Sequence, residues 1–202
     1  MGIYSRYVLP RLTHLSMRQA QLRAYRERVV GEATGRVLEI GFGFGLNLPY
    51  YKETVQEIIG IDSSPETLAL AERSVASSRC KVTLIARSAH DLPLDDESID
   101  TIVVTWSLCS IVDVRRALME ARRVLRSGGQ MRFVEHGQSP DPKVAIWQDR
   151  LTPLWHRCAG GCHLNRKMDD LVRGADFQLP ELTTGYARGP RAMTFMYEGK
   201  AI

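Results

Sequence analysis

Hydrophobic and polar residues along this chain follow two rhythms. From Pro10, the apolar residues Leu12, Leu15, Leu22, Tyr25, Val29 and Val30 recur at near-helical spacing, and Gly31 with Gly35 would close the stripe, so one long helix is expected first. Short β-branched and aliphatic runs then follow at intervals. Residues 36–40 read as a buried strand that runs straight into glycines, with further strands at 57–61, 81–86, 100–105 and 130–135. Ser63-Ser64-Pro65-Glu66 opens an intervening helix with a capping serine and an early proline, and that helix is expected to reach about Ser78. Another helix is expected over 114–126, stopped by Ser127-Gly128-Gly129 before the fifth strand.

Alternation of strand and helix predicts a Rossmann-like, doubly wound α/β sheet, mostly parallel, with helices on both faces and right-handed crossovers. The last segment breaks the rhythm. The runs 177–184 and 192–199, joined by a turn containing Gly189-Pro190, predict a C-terminal antiparallel hairpin that brings the sheet to seven strands. At 202 residues and 44% hydrophobic, with no linker or repeat, the chain fits one domain. We expect a helical N-terminal lid over 1–34, with Tyr4, Tyr7 and Leu9 ahead of its helix. A cofactor-binding core over 35–136 would follow, then acceptor-pocket helices and the hairpin over 137–202.

Charge changes this picture little. Lys and Arg exceed Asp and Glu by four, and arginines at 6, 11, 18, 23, 26 and 28 carry much of the excess. They read as a solvated helix face: the run of adjacent cations that strong phosphate binding needs is absent, so nucleic acid is not an expected partner, and membrane contact is peripheral at most. No stretch approaches the ~18 consecutive apolar residues of a membrane helix, and no signal-peptide pattern is seen, so a soluble cytoplasmic protein with no obligate protein partner is expected. The cysteines 80, 109, 158 and 162 lack the spacing of a disulfide framework. Cys158, Cys162 and His163 place three soft donors close together, but a structural zinc site wants four and no fourth stands at finger spacing, so no metal is expected. Cys109 has no cationic neighbour in sequence and reads as a small buried hydrophobe.

The candidate chemistry begins at Gly41, Gly43 and Gly45, directly after the first strand. Glycines there let the backbone turn sharply and approach a ligand where a Cβ would collide. Asp62, at the end of the second strand, can accept both hydroxyls of a ribose, and the two features together indicate an adenosyl-containing ligand. NAD is the rival, but its G-x-G-x-x-G pattern would need glycine where Leu46 stands. Glu39, beside the loop, would repel a pyrophosphate and suits a cationic group.

Val37-Leu-Glu-Ile-Gly-Phe-Gly-Phe-Gly45, Ile61-Asp62, Ala89-His-Asp-Leu-Pro-Leu94 and Arg123-Val-Leu-Arg-Ser-Gly-Gly129 resemble the ordered motifs of class I S-adenosylmethionine-dependent methyltransferases, over about 36–135. The resemblance implies that S-adenosyl-L-methionine is the cofactor. It places Glu39 and Asn47, on a helix after the glycine loop, at the methionine end, and Asp62 with Ser63 at the ribose. Ser88 and Ala89 would lie at the adenine, where the family usually carries Asp-Ala, and Thr105 to Leu108 would line the cleft.

His136, at the carboxyl end of the fifth strand, is the expected general base; its ordinary pKa near ~6.5 suits proton abstraction from a thiol, and the alternative is a structurally satisfied histidine. Trp147 and Trp155 could wall an apolar acceptor pocket or pack on the core. With Cys162 and Arg166 they form an ordered pattern, Trp, then Pro-x-Trp-His, then Gly-Cys-x-Leu-x-Arg, that resembles the small thiol S-methyltransferases and their bacterial relatives over about 134–177. The implied acceptor is a small-molecule thiol. An amine or phospholipid headgroup is the alternative, and a silent or NAD-type nucleotide-binding protein is the alternative of another class.

Overall fold

The computed structural model describes residues 9–202; Tyr4 and Tyr7 lie outside the described residues. The elements in order are α1 (Leu9–Met17), α2 (Ala20–Val30), β1 (Gly35–Ile40), β2 (Val55–Asp62), α3 (Pro65–Ala76), β3 (Lys81–Ala86), β4 (Ile99–Thr105), α4 (Val114–Val124), β5 (Leu125–His136), α5 (Pro142–Cys158), α6 (Met168–Arg173), β6 (Glu181–Tyr186) and β7 (Phe195–Ala201). The strands form one sheet in the order β3-β2-β1-β4-β5-β7-β6, parallel except that β7 runs antiparallel to both β5 and β6. This is the doubly wound sheet with a C-terminal hairpin that the alternation predicts.

Strand period sets the two-sided core. Along β1, Val37 points into the layer filled by Val30 of α2 and Leu68 and Ala71 of α3. Its neighbours Leu38 and Ile40 point to the other layer, against Leu118 and Ala121 of α4 and Met168 and Val172 of α6. Both faces of the central strands β1 and β4 are therefore dry, and the carboxyl ends of β1, β2 and β4 are left as the place where a ligand can enter.

The structure corrects several local expectations. The N-terminal stripe is two helices, not one: the chain breaks at Arg18 and Gln19, where Gln19 adopts an extended backbone. The break lets α1 lie over the carboxyl ends of the strands, leaving Leu12 and Leu15 exposed. No long helix follows the glycine loop; Asn47 precedes a single 3₁₀ turn, Leu48–Tyr50, in which Pro49 cannot continue a ladder. The fourth helix stops at Val124, and Leu125 already pairs with Ile99, so β5 starts before Ser127-Gly128-Gly129. The hairpin strands are shifted toward the C-terminus, and Phe177 serves the core from outside the strand. Among the described residues no helix is long and apolar enough to cross a membrane.

Candidate functional site

A cleft of about 550 Å³ opens where β1, β2 and β4 end. The loop after β1 forms its floor. Gly41, Gly43 and Gly45 all have left-handed backbone, at φ +74°, +57° and +71°. At Gly41 the reason is also spatial: a Cβ would fall 1.9 Å from Ser107 Oγ, so only glycine lets this loop touch the turn after β4.

Asp62 closes the loop. Its Oδ2 accepts the Gly43 N–H at 3.0 Å and its Oδ1 the Ser64 N–H at 3.0 Å, so the carboxylate is oriented yet still lines the cleft. Burial pushes its pKa up against those two hydrogen bonds. The helix cap at this point is Ser64, which accepts from the Thr67 N–H, leaving Asp62 with no capping duty.

On the opposite side lies a buried polar network. Glu39 accepts from Asn47 Nδ2 at 2.9 Å and from the Tyr51 hydroxyl at 2.6 Å. Asn47 also donates to Thr105 Oγ1 and accepts from Arg26 Nε at 3.1 Å, and the Arg26 guanidinium stacks 4.8 Å from the centre of the Trp106 ring. Burial pushes the Glu39 carboxyl up to about 7, against the Tyr51 and Asn47 hydrogen bonds and the attraction of Arg26. Glu39, Asn47, Asp62, Ser63, Ser88, Ala89 and Thr105 all line the cleft together with the loop glycines 41 and 43. Leu108 does not; it is fully buried in the core, and Trp106 and Ser107 face the cleft in its place. Trp106 holds φ +51°, a costly conformation for a bulky residue, at the tip of β4.

The turn from Trp106 to Val112, with Ala159, Gly160 and the α1 residues Leu9 and Pro10, makes the remaining wall. Its rear is built from three distant segments. Glu135 accepts from the backbone N–H groups of Ser107 (2.5 Å), Leu108 (2.9 Å) and Cys109 (3.3 Å). Arg166 donates to the carbonyls of Leu108 and Ile111, and the His163 N–H donates to the Cys109 carbonyl. Cys162 Sγ lies 3.0 Å from His136 Nε2 and accepts from Trp155 Nε1 at 3.3 Å. His136, Trp155, Cys162 and Arg166 thus stand behind the wall and none lines the cleft; Trp147 is 57% exposed on α5 beside Arg150, also outside it.

Cys109 does have a cationic neighbour, in space rather than in sequence. The hydrogen bond from the Cys162 thiol and the attraction of His136 outweigh burial and hold the Cys109 thiol well below its ordinary value. Burial opposes a charged imidazole, yet the Cys109 sulfur leaves His136 above its ordinary value.

A methyltransferase domain family matches residues 38–133. A thiol S-methyltransferase of Rattus norvegicus is 32% identical over 150 residues, 72% of this chain and 61% of that protein. The chain belongs to the class I S-adenosylmethionine-dependent methyltransferases. A phosphatidylethanolamine N-methyltransferase of Cereibacter sphaeroides is 38% identical over 115 residues, 55% of this chain and 56% of that protein. This methyltransferase spans about three fifths of the length of such curated relatives. A solved S-adenosylmethionine-dependent methyltransferase from Mesorhizobium loti shares the fold, with a TM-score of 0.69 at 16% identity over 92% of this chain and 99% of that one.

The residues of the methyltransferase fit its cofactor, S-adenosyl-L-methionine. A zwitterionic amino-acid end needs an acid and a base close together, and Glu39 with Arg26 places both inside the cleft, while Asp62 offers a second carboxylate across it. Arg26 in the cleft and Tyr51 behind Glu39 are not marked by the sequence pattern. Arg26 looked like one more solvated helix arginine, but it is 4% exposed. The signal available was its place one turn before Val29 and Val30, on the apolar side of the stripe.

Proposed function

We propose that this enzyme methylates the sulfur of a small apolar thiol. The observation that carries the reading is the character of the acceptor wall. Among the residues lining the cleft the carboxylates are Glu39 and Asp62 alone, and both lie on the cofactor side. Leu9, Pro10, Ile111, Val112, Ala159 and Gly160 offer apolar surface instead. A cationic amine would want an acid at that wall, whereas a thiol wants an apolar slot. The thiol S-methyltransferase relative, at 32% identity, supports the same acceptor.

When bound, S-adenosylmethionine supplies a sulfonium methyl that a thiolate attacks, so that the methyl–sulfonium bond breaks as a thioether bond forms. The chain's share is positional. Glu39 and Arg26 would hold the methionine end, Asp62 the ribose, and Ser88 with Ala89 the adenine side. The Trp106–Val112 turn, fixed from behind by Glu135 and Arg166, would align the acceptor and exclude water. A thiol with a pKa near ~8.5 is a few per cent thiolate at neutral pH, so no base need touch it, and its proton leaves to solvent. His136 then acts as a positioning residue behind the wall. Thiol chemistry of this kind suits the reducing cytoplasm.

The test is S-adenosylhomocysteine release across matched panels of small thiols, amines, phenols and phospholipid headgroups, with each product identified by mass. Turnover confined to thiols is expected. Product from amines or headgroups alone would overturn the reading.

A further inference from the structure

Three segments far apart in the chain bring Cys109 Sγ, His136 Nε2 and Cys162 Sγ within 4.8 Å of one another, behind the acceptor wall. Both cysteines are buried, and neither is in a disulfide. The mechanism above uses none of the three for contact with substrate, which leaves a concentrated set of soft donors without an assigned task.

We propose that Cys109, His136 and Cys162 bind one thiophilic d10 cation, of which zinc(II) is the defining probe, and that this ion clamps the rear of the acceptor wall.

The donor set fits. With zinc–sulfur bonds of about 2.3 Å and zinc–nitrogen bonds of about 2.0 Å, tetrahedral donors sit roughly 3.5–3.8 Å apart, so the His136–Cys162 pair at 3.0 Å would open by about half an ångström while every pair already lies within 4.8 Å. Two thiolates and a neutral imidazole around zinc(II) give a complex of zero net charge, the form that a buried place tolerates best. Binding exchanges the sulfhydryl protons for the metal and releases them to solvent.

The surroundings supply what ligand sulfurs need. Trp155 Nε1 donates to Cys162 Sγ at 3.3 Å, and the Ser110 hydroxyl lies 3.5 Å from Cys109 Sγ, so each sulfur has a hydrogen-bonding group beside it. Glu135 fixes the backbone of the turn that carries Cys109, and His163 holds the Cys109 carbonyl. An independent sign is the imidazole itself. Its Nε2 faces only sulfur. Thiols are weak partners for a buried ring, and a metal at Nε2 replaces them with a strong bond.

The trio differs from the one the sequence spacing brings together. Cys158 is exposed, and His163 turns to the Cys109 carbonyl, so Cys162 joins partners from the ends of β4 and β5 instead.

Elemental analysis of the full chain, purified in reductant after growth with zinc supplied, should find about one zinc per chain. Zinc alone, titrated against a chromophoric zinc chelator, should bind tighter than micromolar. Cobalt(II) in place of zinc should give the near-ultraviolet sulfur-to-cobalt charge-transfer band of two thiolates. Cys109→Ser, Cys162→Ser and His136→Ala should each weaken zinc binding by about a hundredfold or more, with circular dichroism as the control for folding, while Cys158→Ser leaves it unchanged. A wild-type protein with reduced thiols that shows neither retained zinc nor micromolar binding overturns the proposal, as does loss of binding in Cys158→Ser. A Cys109–Cys162 disulfide in a chain that binds no zinc when reduced overturns it too. None of these measurements uses the acceptor, so they stand or fall apart from the thiol reading.

Discussion

The two sides of the cleft are built in different ways. The cofactor side is local: Glu39, the glycine loop, Asn47 and Tyr51 lie within one short stretch, and Asp62 follows at the end of the next strand. Glu39, Gly41, Gly43, Asn47 and Asp62 face the space a ligand would fill, and Tyr51 braces Glu39 from behind. The acceptor side is assembled from the turn after β4, the end of β5, α1 and the segment after α5, and many of its polar groups face backward to hold a turn rather than forward into the cleft. A local site tolerates change in the rest of the chain, whereas an assembled wall depends on every segment that braces it.

The sharpest way to break that contrast is Gly41→Ala. The added methyl would meet Ser107 Oγ and force a left-handed alanine, a combined cost of about 3 kcal/mol, so cofactor binding should weaken about a hundredfold by calorimetry. If the affinity is unchanged, the loop does not carry the cofactor.

Glu39→Gln separates charge from shape. Glu39 stands at about 7 in the folded chain against an ordinary 4.5, so the folded state binds the proton more tightly than the unfolded state. Stability is therefore lost as pH rises from 4.5 through 7, by about 3 kcal/mol. A cationic ligand would reverse the preference and favour the carboxylate. The wild-type affinity for the cofactor should fall as pH drops below 7, while Glu39→Gln should bind about tenfold more weakly at pH 8, match wild type near pH 5.5, and melt higher at pH 8 without ligand. A wild-type binding profile flat from pH 5.5 to 8 would remove Glu39 from the methionine end.

The smallest effect is expected at Trp147. It stands on solvent, outside the cleft, so Trp147→Ala should change kcat/KM for any acceptor by less than about twofold. A tenfold loss would show that the wall extends along α5.

What could be read from the chain alone follows from interactions that are short in sequence. Strand period and turn glycines specified the parallel sheet and its hairpin, and the G-x-G-x-G spacing with Leu46 and Asp62 pointed to an adenosyl ligand, because each signal is set by backbone sterics within a few residues. The broken N-terminal helix, the burial of Arg26 and the Cys109–His136–Cys162 cluster were decided only by tertiary structure. Arg26 became a site residue because α2 packs its apolar side on the sheet and carries the guanidinium down onto Asn47 and Trp106. Cys162 met His136 across 26 residues because α5 returns the chain to the carboxyl end of β5. Spacing along a chain cannot encode such meetings; they arise where the packing of separate elements brings remote side chains into one dry place.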